Sequence, residues 1–311
     1  MMNIATLTLN PTLDVSFAVD RVFPTHKMRG RDERHAPGGG GINVARVFVR
    51  LGGNARCYYL SGGPTGVALD GLLDLHLLVR RKIPIAGETR VSTTVLETET
   101  GREYRFVTEG PEVSSGEWQQ CLDALAEAEC DYIVASGSLP RGVPGDFYAR
   151  VGRQAKERGI RLVLDSSGAG LAEGLAGGDV FLVKPSIGEL RGLTGRELAS
   201  DEEISEAAQA IVRRGEAEHV AVTMGRDGAL LANAAGTLRL PAIEAKVASA
   251  VGAGDSFLAG MVHALAGGQE VEDAFRFGIA AGTAAILTPG TDLARPADIA
   301  RLLQQAQALG R

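Results

Sequence analysis

The sequence predicts an α/β protein built on a mostly parallel sheet with helices on both faces. Short continuous apolar runs alternate with amphipathic stretches over most of the 311 residues. Such apolar runs are typical of strands that are buried on both faces. Two further stretches, 13–22 and 89–107, alternate polar and apolar residues instead, as half-buried strands do.

The apolar runs indicate six strands and the amphipathic stretches indicate seven helices. The predicted strands are 4–9, 56–60, 132–135, 162–164, 180–183 and 220–223. The predicted helices lie near 42–51, 117–129, 146–158, 203–214, 256–266, 271–286 and 296–308. Because helices separate the strands along the chain, neighbouring strands are expected to run parallel.

The two alternating stretches predict a small lid sheet over the main sheet. Within 89–107, Thr100-Gly101 separates two alternating runs, which is typical of a hairpin. An extension of the main sheet's edge is the alternative. We expect the lid strands at about 12–36 and 88–110, inserted into a single domain that spans 1–311.

Charge and cysteine content exclude several classes of function. The net charge is −6 and no run of Lys or Arg stands out, which disfavours a nucleic-acid or anionic-membrane partner. Three cysteines without CxxC or Cys/His spacing predict reduced, structural thiols of a cytoplasmic protein. The opening MMNIATLTLN lacks the basic region of a signal peptide, and FGIAAGTAAIL is too short to span a bilayer.

The run Gly38–Gly41 precedes an apolar helix pattern. Glycines let the backbone approach a ligand, and the following helix offers unpaired N–H groups, so this run predicts a binding loop. Asn43 is placed to contact a sugar hydroxyl, although an ordinary flexible loop is the alternative. GxGxxG spacing fails here and at Gly252–Gly254, and GxxxxGK[ST] is absent, which argues against dinucleotide-binding and P-loop proteins.

The stretch SAVGAGDSFLAG places Asp255 behind small residues and ahead of an apolar run. The N–H groups of Val251 to Gly254 can form a nest at a helix N-terminus, which would stabilise a transferring phosphoryl group. A carboxylate beside that nest can accept the proton of an attacking hydroxyl. Asp255 can equally cap the helix, and the residues alone leave both interpretations open.

Three further stretches place polar groups after strands, where open α/β sheets bind ligands. In VKPSIGEL, Lys184 and Glu189 suit a nucleotide phosphate and a hydrated Mg²⁺, or else a surface cation and a carboxylate at a helix N-terminus. In AVTMGRDGALL, the turn after Thr223 lies along a nucleotide or forms a simple hairpin. In VASGSLPRGVP, Ser138 is a candidate hydroxyl contact.

Basic residues near the predicted lid are candidates for binding a substrate phosphate. Arg90 begins the hairpin, while Lys27 and Arg29 follow the first lid segment. Three cations in an acidic protein can clamp the phosphate of a sugar phosphate. Simple solvation of these side chains is the alternative.

Together, these motifs resemble those of the PfkB family of ribokinase-like carbohydrate kinases, nearly end to end. GGGGINVARVFVRLGG is similar to the family's N-terminal signature and VGAGDSFLAGMVHAL to its C-terminal one. NPTLD, SGSLPRGV, KPSIGEL and GTDLARP fall in the expected order. The resemblance implies a three-layer α/β/α sandwich, a lid sheet that mediates homodimers, and ATP and Mg²⁺ as ligands.

Within the family, the resemblance favours ATP-dependent phosphorylation of fructose 6-phosphate at C1, as in the minor 6-phosphofructokinase group. Kinases of fructose 1-phosphate and tagatose 6-phosphate usually carry Lys in the glycine run, reading GGKG, where this chain has Gly40. Those two activities are the nearest alternatives. A non-catalytic sensor of sugar phosphate and nucleotide is a remote one.

The resemblance also implies a role for each candidate residue. Asp255 would be the general base, beside an anion hole formed by Gly252, Ala253 and Gly254. Substrate contacts are implied for Asp14, Lys27, Arg29, Gly39, Gly40, Asn43, Arg90 and Ser138. ATP contacts are implied for Lys184, Ser186, Thr223, Gly225, Gly228, Val251 and Thr283, and a water-mediated Mg²⁺ contact for Glu189.

Two positions depart from the family pattern. Ser186 stands where Asn is common, which bears on the phosphate and metal assignments. Ser249-Ala250 replaces a frequent Asp-Thr pair shortly before GAGD. Some members bind a monovalent cation behind the anion hole, so the second departure leaves K⁺ binding open.

Overall fold

The computed structural model describes residues 2–309 and contains two separate sheets. The strands are β1 (Asn3–Thr8), β2 (Thr12–Val19), β3 (Arg31–Gly38), β4 (Asn54–Ser61), β5 (Val79–Pro84), β6 (Arg90–Glu97), β7 (Arg102–Val107), β8 (Tyr132–Ser136), β9 (Arg161–Asp165), β10 (Val180–Val183), β11 (Ala217–Thr223), β12 (Ala229–Asn233) and β13 (Gly236–Leu240). The larger sheet has nine strands in the order β13-β12-β11-β10-β9-β8-β1-β4-β5. All neighbours from β11 to β5 pair in parallel, and β12 and β13 add an antiparallel edge.

Helices cover both faces of this sheet. They are α1 (Gly40–Arg50), α2 (Gly63–Leu75), α3 (Ser115–Ala126), α4 (Phe147–Glu157), α5 (Gly168–Ala176), α6 (Ile187–Thr194), α7 (Asp201–Arg213), α8 (Ala253–Ala266), α9 (Val271–Ile286) and α10 (Pro296–Ala308). One apolar cluster joins α1, α2, α8, α9 and α10 to the sheet, and a second cluster joins α3, α4, α5, α6 and α7 to it. The predicted three-layer α/β/α sandwich is therefore confirmed. Between residues 2 and 309, no helix combines the length and apolar character that crossing a bilayer requires.

The apolar runs became strands because the sheet is buried on both faces. Every residue of β8 and of β10 is buried. Two of the elements that the sequence did not reveal lack such a run. The edge strand β5 reads VRRKIP and buries only Ile83, while α2 contains three glycines and buries only Gly66, Leu69 and Leu73.

The lid is a separate four-stranded sheet in the order β3-β2-β6-β7. The predicted lid is therefore confirmed, and the alternative, an extension of the main sheet's edge, is excluded. The hairpin predicted at Thr100-Gly101 joins the antiparallel strands β6 and β7. The strand β3 was not predicted, because its first five residues are exposed and its sequence, RDERHAPG, shows no clean alternation. It ends at Gly38, two residues beyond the predicted first insert, 12–36.

The lid joins the main sheet through tightly packed glycines. Thr12, the first residue of β2, pairs with Gly38 on one side and Arg90 on the other, so this row forms the base of the lid. The next residue, Gly39, has a φ of 116°, and a Cβ there would lie 2.6 Å from Thr8 Cγ2. A side chain at Gly39 is therefore excluded both by backbone conformation and by space.

The structure predicts how truncation of leucines on α2 changes stability. Leu69→Ala removes a fully buried side chain and should lower the free energy of unfolding by about 2–5 kcal/mol. Leu75→Ala on the same helix is the matched control, because Leu75 is 78 % exposed. It should change stability by less than about 0.5 kcal/mol in urea titration. Equal losses from the two substitutions would contradict this packing.

Candidate active site

The candidate active site lies at the carboxyl edge of the parallel strands. Ser136 ends β8, Asp165 ends β9 and Lys184 directly follows β10. Ligands of open α/β sheets bind at this edge because the strands and the following helices leave a crevice there. The N-terminus of α8 points its first turn into the same region, since Gly254 lies against Lys184.

Asp255 belongs to the first turn of α8 and does not cap it. The N-cap is Gly252, whose φ of 73° is left-handed and where a Cβ would overlap the side chain of Leu293. The capping interpretation of Asp255 is therefore excluded. Its carboxylate instead accepts a hydrogen bond from Asn43, with Nδ2 2.9 Å from Oδ2.

Burial makes the Asp255 carboxyl a stronger base. Burial raises its pKa to about 6, with a further rise from the nearby negative charge of Asp165. The hydrogen bond from Asn43 and the positive charge of Lys184 act in the opposite direction. A carboxylate whose pKa lies close to neutrality is well matched to accepting a proton from a hydroxyl.

Lys184 is a buried cation, not a surface one. It is 5 % exposed, and its Nζ lies 3.1 Å from Asp165 Oδ1. Burial alone would lower the pKa of Lys184, but Asp165, Glu189 and Asp255 raise it above its ordinary value. The ammonium therefore remains charged where it faces the N-terminus of α8.

The amides of the predicted anion hole are only partly available. The Val251 N–H donates to Ser249 Oγ at 3.3 Å, and the Ala253 N–H donates to Ala250 O at 3.4 Å. Within residues 2–309, the N–H groups of Gly252, Gly254 and Asp255 have no hydrogen-bond partner. The N–H groups of Val251 and Ala253, which were predicted to face the phosphoryl group, are instead used in local turn contacts. The available amides are those of Gly252, Gly254 and Asp255.

The lid contributes a second, half-buried carboxyl. Burial raises the pKa of Asp14, on β2, to about 6, while Thr12, Arg105, Arg46 and Arg90 act to lower it. A Cβ at Gly38 would overlap this carboxyl, so the glycine run lies directly against it.

Arg90 joins the base of the lid to the main sheet. Its Nη1 donates to Thr108 O and its Nη2 to Asn10 O, each at 2.9 Å. Its Nε is buried and has no partner within residues 2–309. Arg90 is therefore fixed in position with donor capacity remaining.

The glycine run approaches the base closely. A Cβ at Gly40 would overlap Ser136 Oγ and would lie 3.3 Å from Asp255 Oδ1. Nearby, Asn10 Nδ2 donates to Ser138 Oγ at 3.4 Å. The predicted residue Gly40 thus lies beside the carboxylate because the run carries no side chains, whereas Ser138, two residues after Ser136, is bonded to Asn10.

Lys27 and Arg29 are not brought to this region within one chain. They lie in the exposed segment 20–30, which connects β2 to β3 at the end of the lid opposite Arg90. Alternation in the sequence showed that strands were present but not their direction. Within one chain the three cations therefore do not come together, and the contact of Lys27 and Arg29 with the substrate phosphate stays a prediction.

A cleft of about 1040 Å³ adjoins Gly254 on the other side of the α8 N-terminus. Of the predicted ATP contacts, the cleft is lined by Thr223, Gly225, Gly228 and Thr283. Its apolar wall includes Ile243, Val247, Phe257, Ile279 and Ile286. The turn after Thr223 is a hairpin between β11 and β12, which confirms that interpretation, and its contact with a nucleotide stays a prediction.

Ser186 and Glu189 form a capping box at the start of α6. Ser186 Oγ accepts from the Glu189 N–H at 3.2 Å, and Glu189 Oε2 accepts from the Ser186 N–H at 2.7 Å. One carboxylate oxygen of Glu189 remains. No cluster of three or more His, Cys, Asp or Glu side chains among residues 2–309 could hold a metal. These residues fit a Mg²⁺ held mainly by water and phosphate oxygens, and not by a protein cage.

Three residues at the site were not predicted. Asp165 pairs with Lys184, and Ser136 Oγ donates to Asp165 Oδ2 at 3.2 Å. Both follow buried apolar runs, and that position was the available signal. The third is Arg46, which is 4 % exposed within the apolar pattern of α1, where a charged residue is itself unusual.

Comparisons with known proteins agree with this geometry. The sequence model described as "pfkB family carbohydrate kinase" matches residues 8–298. The chain is 44 % identical over 305 residues to "ATP-dependent 6-phosphofructokinase isozyme 2" of Mycobacterium tuberculosis, which covers 97 % of this chain and 89 % of the relative. The protein of the same name from Escherichia coli K12 is 39 % identical over 299 residues, covering 94 % of this chain and 95 % of the relative.

Solved structures show the same fold. Phosphofructokinase-2 from Escherichia coli in complex with potassium superposes with a TM-score of 0.95 at 37 % identity, covering 99 % of this chain and all of that chain. The same enzyme in complex with fructose-6-phosphate gives a TM-score of 0.92 at 36 % identity with the same coverage. Site geometry, sequence and fold agree: the chain belongs to the pfkB family of carbohydrate kinases.

Proposed function

We propose that the chain transfers the γ-phosphoryl group of ATP to the C1 hydroxyl of fructose 6-phosphate, which gives fructose 1,6-bisphosphate and ADP. One observation carries the proposal: Asp255 is a partly buried carboxyl of raised pKa beside unpaired amides at a helix N-terminus. Relatives named 6-phosphofructokinase support fructose 6-phosphate as the acceptor.

In the proposed reaction, Asp255 accepts the proton of the C1 hydroxyl as its oxygen attacks the γ-phosphorus. The bond from that phosphorus to the bridging oxygen breaks, and ADP leaves. The free amides of Gly252 and Gly254, with the Lys184 ammonium, would stabilise the negative charge on the transferring group. Proton removal by a positioned base contributes roughly 10²–10⁴-fold to the rate.

The sugar would lie between the lid and the glycine run. Asp14, Asn43 and the Gly39 backbone are the groups proposed to hold its hydroxyls. Arg90 would bind the 6-phosphate, because a fixed guanidinium with spare donors suits a phosphate group.

ATP would occupy the 1040 Å³ cleft, with its base against the apolar wall and its phosphates toward Gly254. Glu189 is proposed to hold Mg²⁺ through water; when bound, the ion neutralises charge on the phosphate oxygens. A structure of the Escherichia coli enzyme contains potassium. For this chain, K⁺ binding near Ser249-Ala250 remains a prediction.

The proposed function is tested by coupled ADP release with Mg²⁺ and three acceptors: fructose 6-phosphate, tagatose 6-phosphate and fructose 1-phosphate. Fructose 6-phosphate should give the highest kcat/KM, since only that ratio measures discrimination between substrates. A higher ratio for either other sugar would reassign the acceptor. Ligand binding without ADP release on any of the three would support a sensor instead.

Asp255→Asn should lose nearly all turnover, by about 10²–10⁴-fold, because an amide cannot accept the proton. Binding of ATP, measured by calorimetry, should persist. Asp273→Asn is the matched control, since that side chain is 67 % exposed on α9, and it should keep full activity. Near-normal turnover of Asp255→Asn would remove the proposed base.

Gly40→Ala should lower kcat/KM by about 10- to 100-fold, because the new Cβ overlaps Ser136 and displaces groups beside Asp255. Gly71→Ala is the matched control on α2, where an added Cβ meets nothing within 4 Å. It should keep wild-type kinetics in the same assay. Unchanged kinetics in Gly40→Ala would show that the close approach has no catalytic consequence.

We further propose that the chain forms a homodimer through the lid. Leu96 lies six residues from Arg90 on β6, and Val107 pairs with Ser92, so both share the lid face that carries Arg90. They are 38 % and 55 % exposed, which a partner lid would cover. In such a dimer, Lys27 and Arg29 at the far end of one lid would be placed toward the partner's site.

Combining Leu96→Asp with Val107→Asp should convert the dimer to a monomer in sedimentation velocity, because buried like charges oppose the interface. Leu75→Asp on α2 is the control, since Leu75 is an exposed leucine (78 %) that lies outside the lid. It should leave the assembly unchanged. A lid variant that sediments as the wild type does would exclude this interface.

A further inference from the structure

We propose that Arg46 is a positioning residue, which holds the Asn43 amide in the one orientation that donates to Asp255. The inference rests on the proposed function, because it concerns the base of that reaction. It assigns a role to a residue within GGGGINVARVFVRLGG for which the family resemblance implied none.

The contacts of Arg46 carry the inference. Arg46 lies one turn after Asn43 on α1, and its Nη1 donates to Asn43 Oδ1 at 3.1 Å and to Pro37 O at 3.2 Å. Its Nη2 donates to Thr291 O at 3.2 Å. Asn43 in turn donates through Nδ2 to Asp255 Oδ2 at 2.9 Å. The three side chains therefore form a continuous hydrogen-bonded chain.

The direction of this chain is fixed by chemistry. A guanidinium has only donors, so the group of Asn43 that faces it must be the carbonyl oxygen. The amide NH₂ group then necessarily faces the carboxylate. With the amide reversed, two donors would meet at Arg46 and two oxygens would meet at Asp255, and both contacts would be repulsive.

This arrangement determines which carboxylate oxygen receives the substrate proton. Asp255 Oδ2 is occupied by Asn43, while Oδ1 lies toward Gly40, 3.3 Å from the position that a Cβ there would take. The proposed acceptor hydroxyl approaches along the glycine run. Arg46 therefore leaves Oδ1 available on the side from which that hydroxyl arrives.

Arg46 also has the electrostatic properties that such a role needs. Burial lowers its pKa to about 10, so the guanidinium remains charged near neutral pH, and Asp14, Asp292 and Asp255 support that charge. Its Nε is buried and unpaired within residues 2–309. Arg46 is therefore a buried cation between the carboxyls of Asp14 and Asp255. A neutral side chain there would donate hydrogen bonds to fewer of the surrounding oxygen atoms.

A simpler interpretation is that Arg46 only tethers the loop after α9. The chain provides a matched control for that interpretation in Arg50, one turn further along α1. Arg50 Nη1 donates to Asp292 O at 2.6 Å in the same loop, and no hydrogen bond joins Arg50 to Asn43. Loss of Arg50 therefore removes a tether to the loop and leaves the Asn43 amide fixed.

The experiment compares Arg46→Met, Arg46→Gln and Arg46→Lys with Arg50→Met, using fructose 6-phosphate and MgATP. Folding is monitored by thermal unfolding, and Arg46→Gln, which keeps a polar head in the buried site, is used where the Met variant unfolds. In the folded neutral variants, kcat should fall by about 10- to 100-fold while KM for ATP stays within about twofold, because the base is misplaced and the cleft is intact.

The pH dependence of kcat/KM distinguishes a positioning role of Arg46 from a role as a structural tether of the loop after α9. In the neutral variants, the acid limb of kcat/KM should move to higher pH, because Asp255 loses a nearby cation and a fixed donor. Of the other charged groups that face Asp255, Asp165 and Lys184 are unchanged, whereas Asp14 loses the same cation and its pKa shifts in the same direction. Arg46→Lys should recover most of kcat and the wild-type acid limb, and Arg50→Met should match the wild type in both.

Wild-type kcat and acid limb in a folded Arg46→Met or Arg46→Gln variant would overturn the inference. So would an equal loss in Arg50→Met, because the loop tether would then explain the effect. Failure of the wild-type enzyme to phosphorylate fructose 6-phosphate would instead reject the proposed function, so the two failures are distinguishable.

Discussion

The balance of charge at the carboxyl edge of the sheet is the constraint on which the site depends. Asp255, Lys184 and Asp165 lie close together, with water largely excluded. Two carboxyls and one ammonium are costly to bury separately but tolerable together, since each opposite charge offsets part of the desolvation. The ends of β9 and β10 and the start of α8 hold these groups at fixed separations. Burial makes the Asp255 carboxyl more basic, whereas the neighbouring carboxylates keep the lysine charged against the effect of its own burial.

Much of the architecture could be predicted from the sequence, because a sheet covered on both faces requires uninterrupted apolar strands. The edge strand β5 and the glycine-containing helix α2 could not be predicted, because an exposed edge strand and a helix with a narrow apolar stripe show little hydrophobic periodicity in the sequence. Asp255 and Lys184 could be found, because each follows a recognisable local pattern.

What the sequence could not predict were the relations between distant segments. Asn43 and Asp255 are 212 residues apart along the chain, and only the fold shows that they share a hydrogen bond. The pairing of the Val251 amide and the distance of Lys27 from Arg90 likewise depend on turn geometry and strand direction. Ser186 departs from the family pattern at a candidate ligand site, and in the structure its hydroxyl and backbone N–H complete a helix cap.

The pairing of β2 with β6 has a mechanical consequence. Asp14 lies opposite Ser92, and Thr12 opposite Arg90, so the acid and the guanidinium are carried by adjacent, directly bonded strands. If the lid sheet tilts as a unit, both side chains move together, because hydrogen bonds hold their strands in register. The contacts of Asp14 and of Arg90 with the two ends of a bound sugar phosphate would then shorten or lengthen together. A change in one contact alone would require breaking backbone hydrogen bonds between the two strands.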